Sequence, residues 1–392
     1  MYKIVQTSLG VCAADGFYAD GVSAGLKANN ARDMAFIYSD TLCEVASVFT
    51  TNKMTAAPIR HFREMGEFQT NFVLINSKNA NAMTGKAGIE DIKEILSTLP
   101  KNVQNPLMSS TGVIGVRVPK EKLINGAKLF DLTKKEPHNA AKAIMTTDSF
   151  SKEMSLRVEL SDGSSFNIGA MAKGAGMINP AMATMLCFIT TDADVSKEVM
   201  QEILDDTTQV TFNAASVDGD TSTNDTVLVL ANKKSGAFHE EAFKEALHSI
   251  MLFLAREMVR DGEGAKKLVT YEITGAKDDK EAEKVAKALS DSLLVKTALY
   301  GEDPNWGRIA STVGASGVEA DEATLKISFN DLCVYDSGVN YFTADMEEKA
   351  SKVMQLDSFT ISCDLGIADG KFTAFGCDLG YEYVKINADY RT

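Results

Sequence analysis

The apolar pattern constrains the fold of this chain more than any other feature, because its period changes repeatedly along the sequence. Short β-rich runs at Met34–Ser39, Val45–Thr50, Phe72–Asn76, Ser155–Leu160, Met185–Thr190 and Thr226–Leu230 predict strands. Two other stretches have helical spacing. Ile89, Ile92, Leu96 and Leu99 share one face, as do Phe243, Leu247, Ile250, Met251 and Leu254 within His239–Val259, which Gly262 and Gly264 close. Strands and helices in mixed order predict a layered α/β fold rather than a sandwich or a bundle. A chain of 392 residues exceeds one ordinary core. A polar interruption at Gly275–Glu281 marks a boundary, set at 278/279. Beyond it, a helix from Ala282 and strands at Leu325–Phe329, Phe359–Cys363 and Phe372–Phe375 predict a smaller C-terminal α+β domain, 279–392.

The net charge of −14 argues against nucleic acid, whose binders need a basic face to displace counterions. No run approaches the roughly 18 apolar residues that span a bilayer, so no membrane association is expected. The amino end lacks the apolar core of a signal peptide. Six scattered cysteines without a C-x-x-C pair fit reduced thiols in a cytoplasmic protein better than a disulfide framework or a metal site.

Much familiar chemistry is missing. The four histidines, His61, His138, His239 and His248, lie in helix-like or charged surroundings, and none accompanies a G-x-S-x-G turn. No H-E-x-x-H or Walker loop occurs, and Lys173-Gly-Ala-Gly176 fails as a dinucleotide fingerprint because Asn179 stands where its last glycine belongs. Any nucleophile here must work without histidine.

The segment from Met171 to Asp192 offers one. Gly174 and Gly176 permit close backbone approach and Pro180 fixes a turn. Thr184 then sits where loop becomes apolar strand. Threonine can serve as a nucleophile with its own α-amine as base, since a free α-amine has a pKa of roughly 7.7–8.0. That requires scission of Ala183–Thr184, which the same hydroxyl could begin by attacking the Ala183 carbonyl. A β-branched residue entering a strand is the plain alternative.

Other segments weigh against the plain alternative. Lys173-Gly-Ala-Gly-Met-Ile-Asn-Pro-Ala-Met-Ala-Thr184 resembles the processing signature of the ornithine acetyltransferase family, the bifunctional, self-cleaving glutamate N-acetyltransferases of arginine biosynthesis. Asn76-Ser-Lys-Asn-Ala-Asn81, Ser110-Thr-Gly-Val-Ile-Gly115, Met145-Thr-Thr-Asp148, Asp261-Gly-Glu-Gly-Ala265, Asp303-Pro-Asn-Trp-Gly-Arg308 and the end from Asn387 to Thr392 look like its other blocks, in order. Two departures stand out: Lys78 where a glycine is usual, and Ala181 where asparagine is common.

The resemblance implies self-cleavage at Ala183–Thr184 into an α chain, 1–183, and a β chain from Thr184. Residues 184–278 would then complete a layered α/β/α catalytic domain assembled from both chains, and two α and two β chains would assemble. Thr184 would accept acetyl from N-acetylornithine and pass it to glutamate, a ping-pong cycle needing no cofactor and no metal. Acetyl-CoA is a further co-substrate in some members. The Thr111 hydroxyl and the Gly112 N–H would form the oxyanion hole, each donor worth about 2.7–4 kcal/mol. Thr147, Lys173, Thr184, Glu263, Asn387 and Thr392 would contact substrate, with Lys173 suited to a carboxylate and Glu263 to ammonium groups. The block around Trp306 reads as structural. A related aminopeptidase or amidase with an amino-terminal nucleophile would hydrolyse instead, and a metabolite-binding protein would stay one intact chain.

Overall fold

The computed structural model describes residues 1–179 and 185–389. Its first sheet holds β1 (Tyr2–Thr7), β2 (Phe17–Val22), β3 (Met34–Phe49), β4 (Thr70–Asn76), β5 (Leu107–Ser110), β6 (Lys152–Leu160), β7 (Ser165–Lys173), β8 (Leu186–Thr191) and β9 (Thr226–Ala231). The order is β1-β6-β7-β8-β9-β3-β4-β5, with β2 also paired to β3. The second sheet, ordered β13-β12-β11-β14-β10-β15, holds β10 (Leu268–Ala276), β11 (Lys326–Phe329), β12 (Leu332–Asp336), β13 (Val339–Asn340), β14 (Ser358–Asp364) and β15 (Gly370–Cys377). The helices are α1 (Ala57–Glu64), α2 (Gly85–Ser97), α3 (Lys120–Ala127), α4 (Pro137–Ile144), α5 (Lys197–Val210), α6 (Glu240–Arg260), α7 (Asp279–Asp291), α8 (Leu293–Tyr300), α9 (Trp306–Ala315), α10 (Ala344–Met354) and α11 (Tyr381–Asp389).

β8 and β9 are buried on both faces, which explains their unbroken apolar runs. Cys187, Ile189, Val227 and Val229 face a core shared with α5 and α6. Leu186, Phe188, Leu228 and Leu230 face the opposite core, which includes Ala35, Ile37, Val73 and Ile75 and is filled by α4. The outer face of that half, through Phe36, Phe72 and Leu74, packs on α2 and α3. Helices thus cover both outsides of a strand layer that turns back on itself.

The turn is β3. The two strands expected at Met34–Ser39 and Val45–Thr50 are one 16-residue strand, irregular between Tyr38 and Cys43. Its first half pairs with β2 and β4, and its second half with β9. The polar Ser39-Asp-Thr-Leu stretch read as a gap because it breaks the apolar pattern, yet the backbone stays extended through the bend.

The expected helices appear as α2 and α6, and the imidazole Nδ1 of His239 caps α6 by accepting the Ala242 N–H at 3.4 Å. The second sheet takes in β10, so a division by sheets falls between α6 and Leu268, ahead of the expected 278/279. Val269, Tyr271 and Ile273 alternate toward the second core, a period-2 signal the flanking glycines obscured. Trp306 stacks on Tyr335 at 5.1 Å, and Arg308 donates to the Leu294 carbonyl at 2.7 Å.

Candidate active site

Five connections converge at one end of the first sheet, and the reason is register. β7 and β8 are antiparallel with Lys173 opposite Leu186, while β8 and β9 are parallel with Leu186 opposite Thr226. The end of β7 therefore meets the starts of β8 and β9. The turns after β5, α4 and α6, together with α11, surround the same spot. A cleft of about 160 Å³ there is lined by Thr111, Gly112, Thr147, Lys173, Glu263 and Asn387, so the described candidates all come together. Ala183, Thr184 and Thr392, with Ala181, lie outside the described residues. Chemical connectivity still fixes one point: Met185, which follows Thr184, donates its N–H to Asp225 Oδ1 at 3.1 Å and accepts the Thr226 N–H at 3.0 Å.

Thr111 and Gly112 follow β5. Gly112 adopts φ +131°, and a Cβ there would lie 2.2 Å from the Lys78 carbonyl carbon, so only glycine fits. Asn224 pins this turn by donating to the Ser110 and Ala80 carbonyls, each at 2.7 Å. Among the described residues neither the Thr111 hydroxyl nor the Gly112 N–H has a hydrogen-bond partner, though the flanking Thr111 and Val113 N–H groups are both used. Two adjacent donors facing a cleft can receive negative charge developing on an oxygen.

Lys173 ends β7 and is fully buried. Burial lowers its pKa, opposed by Asp148, whose Oδ2 lies 3.9 Å from the ammonium. The closer partner of Asp148 is Lys152: Oδ1 accepts from Lys152 Nζ at 2.9 Å and from the Gly174 N–H at 2.7 Å. Lys152 also reaches Asp261 Oδ2 at 2.6 Å. Burial alone would raise the Asp148 pKa, but Lys173, Lys152 and the Thr146 N–H outweigh it and hold the carboxyl well below the usual carboxylate range. Lys173 thus meets Asp148 at a longer distance than Lys152 does, and it also lines the cleft.

Glu263 follows α6. Its N–H donates to the Ala175 carbonyl at 2.7 Å, and its Oε2 accepts from Asn387 Nδ2 at 2.6 Å. A Cβ on Gly176 would come within 2.7 Å of both Glu263 carboxylate oxygens, so this glycine makes room for an acid. The cleft thus sets a buried cation and a carboxylate near two free donors, an arrangement matched to a small zwitterion being acylated or deacylated. No histidine or cysteine is among the described lining residues.

Several residues important here carried no sequence signal of their own. Lys152 lies within a strand, and Asp148 and Asp261 were visible only as parts of blocks. Asp218 accepts the Met177 and Ile178 N–H groups at 2.6 and 2.8 Å and the Tyr383 hydroxyl at 3.1 Å, joining the stretch that follows β7 to α11. Asp225 is buried with its Oδ2 unpartnered among the described residues, and burial pushes its carboxyl well above the usual range. The one available signal was the polar run Asp218–Asp225 leading into an apolar strand.

The chain is similar to proteins of one family along nearly its whole length. The arginine biosynthesis bifunctional protein ArgJ of Wolinella succinogenes is 61% identical over 100% of both chains. That of Symbiobacterium thermophilum is 43% identical over 98% of both. The crystal structure of the Bacillus halodurans protein of the same name is 40% identical, covering 51% of this chain and 97% of its own with a TM-score of 0.48. The ArgJ family profile matches residues 18–392, and the chain belongs to the ArgJ family.

Proposed function

We propose that this chain cleaves itself at Ala183–Thr184 and then carries acetyl from N-acetylornithine to glutamate on the Thr184 hydroxyl. Family membership makes it an acetyltransferase of arginine biosynthesis. The observation that carries the finer reading is a pair of donors, Thr111 Oγ1 and Gly112 N–H, that have no hydrogen-bond partner among the described residues and share a cleft with Lys173 and Glu263. An oxygen anion forms twice in such a cycle, once as Thr184 takes the acetyl group and once as it releases it, and the same donors serve both. Lys173 would take the substrate α-carboxylate, and Glu263, steadied by Asn387, an ammonium group. The freed Thr184 amine would act as the base in place of histidine. Thr147 lines the cleft beside these groups, and Thr392 follows α11, which carries Asn387.

Two α and two β chains would form the working assembly. No helix among the described residues is long and apolar enough to cross a membrane.

The test is mass spectrometry of the purified protein with an acetyl-transfer assay. Wild type should give two polypeptides, Met1–Ala183 and Thr184–Thr392, and Thr184→Ala one uncut, inactive chain. An uncut wild type with full turnover would refute the proposal, and acetate release independent of glutamate would favour a hydrolase.

A further inference from the structure

The connection that leads into β9, residues 215–225, lies against both flanks of the segment in which cleavage is proposed. On the upstream flank it grips residues 177–179 through donors and acceptors alike. Asp218 accepts the Met177 N–H on Oδ2 at 2.6 Å and the Ile178 N–H on Oδ1 at 2.8 Å. The Ile178 carbonyl in turn accepts from the N–H groups of Val217, Asp218 and Gly219 at 2.9, 3.3 and 3.3 Å, and from the Ser216 hydroxyl at 3.4 Å. Asn179 Nδ2 donates to the Gly219 carbonyl. On the downstream flank, Asp225 Oδ1 accepts the Met185 N–H, and the Thr226 N–H donates to the Met185 carbonyl. Asn179 and Met185 are six positions apart, so one loop fixes both ends of a very short stretch of chain.

The upstream grip exceeds what backbone satisfaction requires. A carbonyl oxygen has two lone pairs, and here four donors converge on one. Met177 sits at φ +55°, a region that a residue with a Cβ avoids. Such a conformation persists only where its surroundings over-determine it, and these positions gather at reacting centres. Asp218 does the determining, because its two oxygens hold the peptide planes on either side of the Met177 Cα. Burial pushes the Asp218 carboxyl above the usual range, against the same two N–H groups, so the acid is kept there despite the cost. The loop is itself anchored on the second sheet and its helices. The Ser216 N–H donates to the Phe375 carbonyl of β15 at 2.9 Å, and the Ser216 hydroxyl donates to Asp291, the last residue of α7.

We propose that Asp218 is a positioning residue for self-cleavage: it locks the backbone of residues 177–179 so that, with Met185 held by Asp225, the Thr184 hydroxyl is set to attack the Ala183 carbonyl. This rests on the self-cleavage reading above. In that step a bond forms from Thr184 Oγ1 to the Ala183 carbonyl carbon as the bond from that carbon to the Thr184 nitrogen breaks, and the hydroxyl proton passes to the freed amine. Water then hydrolyses the ester, leaving a carboxylic acid on Ala183, which ionises, and restoring the hydroxyl. The attack is intramolecular, so its rate depends on how often the two groups meet in the right orientation, and fixing both ends of the stretch raises that fraction. Asp218 acts through the backbone it holds, not on the reacting atoms.

The experiment follows cleavage of the full-length chain, pulse-labelled during cell-free synthesis, on a denaturing gel. Asp218→Asn keeps the shape but turns an amide donor toward one of the two N–H groups, and it should lengthen the half-time about tenfold or more. In the uncut Thr184→Ala background, adding Asp218→Asn should speed hydrogen exchange at the Met177 and Ile178 amides. The β8 amides should stay protected and the melting temperature should hold within about 3 °C. Cleavage of Asp218→Asn at the wild-type rate overturns the role. So does slowing without faster exchange at Met177 and Ile178, or slowing with equal loss of protection in β8, the mark of a merely structural residue. Should Asp218→Asn fail to fold, Asn179→Ala removes one bond at the edge of the grip and should slow cleavage about fivefold, and no slowing overturns the role. A wild type that never cleaves sinks the self-cleavage reading and this role with it. That result is distinct from failure of the role alone, in which wild type cleaves and the variants keep pace.

Discussion

Replacing Lys152 by methionine tests whether one buried ammonium holds the two sides of the cleft together. The Lys152 side chain is wholly buried, and it joins Asp148 at 2.9 Å to Asp261 at 2.6 Å. Methionine keeps most of the stem and removes only the charge, leaving two carboxylates facing each other out of water. Breaking a buried pair in this way costs about 3–5 kcal/mol at neutral pH. The pH dependence identifies the cause. In wild type Asp148 is depressed, so its contribution is present above the unfolded carboxylate value and is lost as pH falls through the folded one. Without Lys152 the Asp148 carboxyl should titrate higher than in wild type, so the variant should lose less stability than wild type as pH falls below the unfolded carboxylate value. Urea unfolding followed by circular dichroism measures the loss. Fluorescence of Trp306, stacked on Tyr335 in the second core, reports that unit separately and should shift less. The released Asp148 should also draw in the Lys173 ammonium, raising KM for the amino-acid substrate more than it lowers kcat. A loss below about 1 kcal/mol with an unchanged pH profile would refute the clamp, since that is no more than an exposed pair is worth.

Three further perturbations follow from the same geometry. Asp225 has a raised pKa, so its contribution is full below the unfolded carboxylate value and is lost as pH rises through the folded one. Asp225→Asn keeps a neutral side chain of the same shape and should flatten that decline, as urea midpoints measured from pH 5 to 9 would show. Deleting everything after Gly380 removes α11, which buries no residue, together with the bonds from Asn387 to Glu263 and from Tyr383 to Asp218. The melting temperature should then change little while turnover falls at least tenfold, the loss expected when about 1.4 kcal/mol of transition-state positioning is removed. Lys78 sits at φ +72°, a conformation costing a residue with a Cβ roughly 1–2 kcal/mol, so Lys78→Gly should raise stability by up to about 1 kcal/mol after glycine's entropy is charged.

Lys78 also shows where the sequence was informative. It stands where a glycine is usual, and the backbone explains the preference: the turn needs positive φ, which glycine adopts freely and lysine under strain. The glycine and asparagine blocks were legible because they meet such local geometric demands, visible as residue type. The strands β8 and β9 and the helices α2 and α6 were legible because burial imposes a period. What could not be read was contact between segments far apart in the chain. Lys152 and Asp261 are 109 positions apart and Glu263 and Asn387 are 124 apart, and only the fold makes them neighbours. Lys152 is the clearest case. It stands ahead of the expected strand at Ser155–Leu160, and a lysine there reads as solvent-facing, since an unpaired buried ammonium is too costly to expect. The two acids that make its burial tolerable come from the end just past α6 and from the turn after α4. Its role exists only once those three elements have met, and the same meeting brings Lys173 and Glu263 into one cleft.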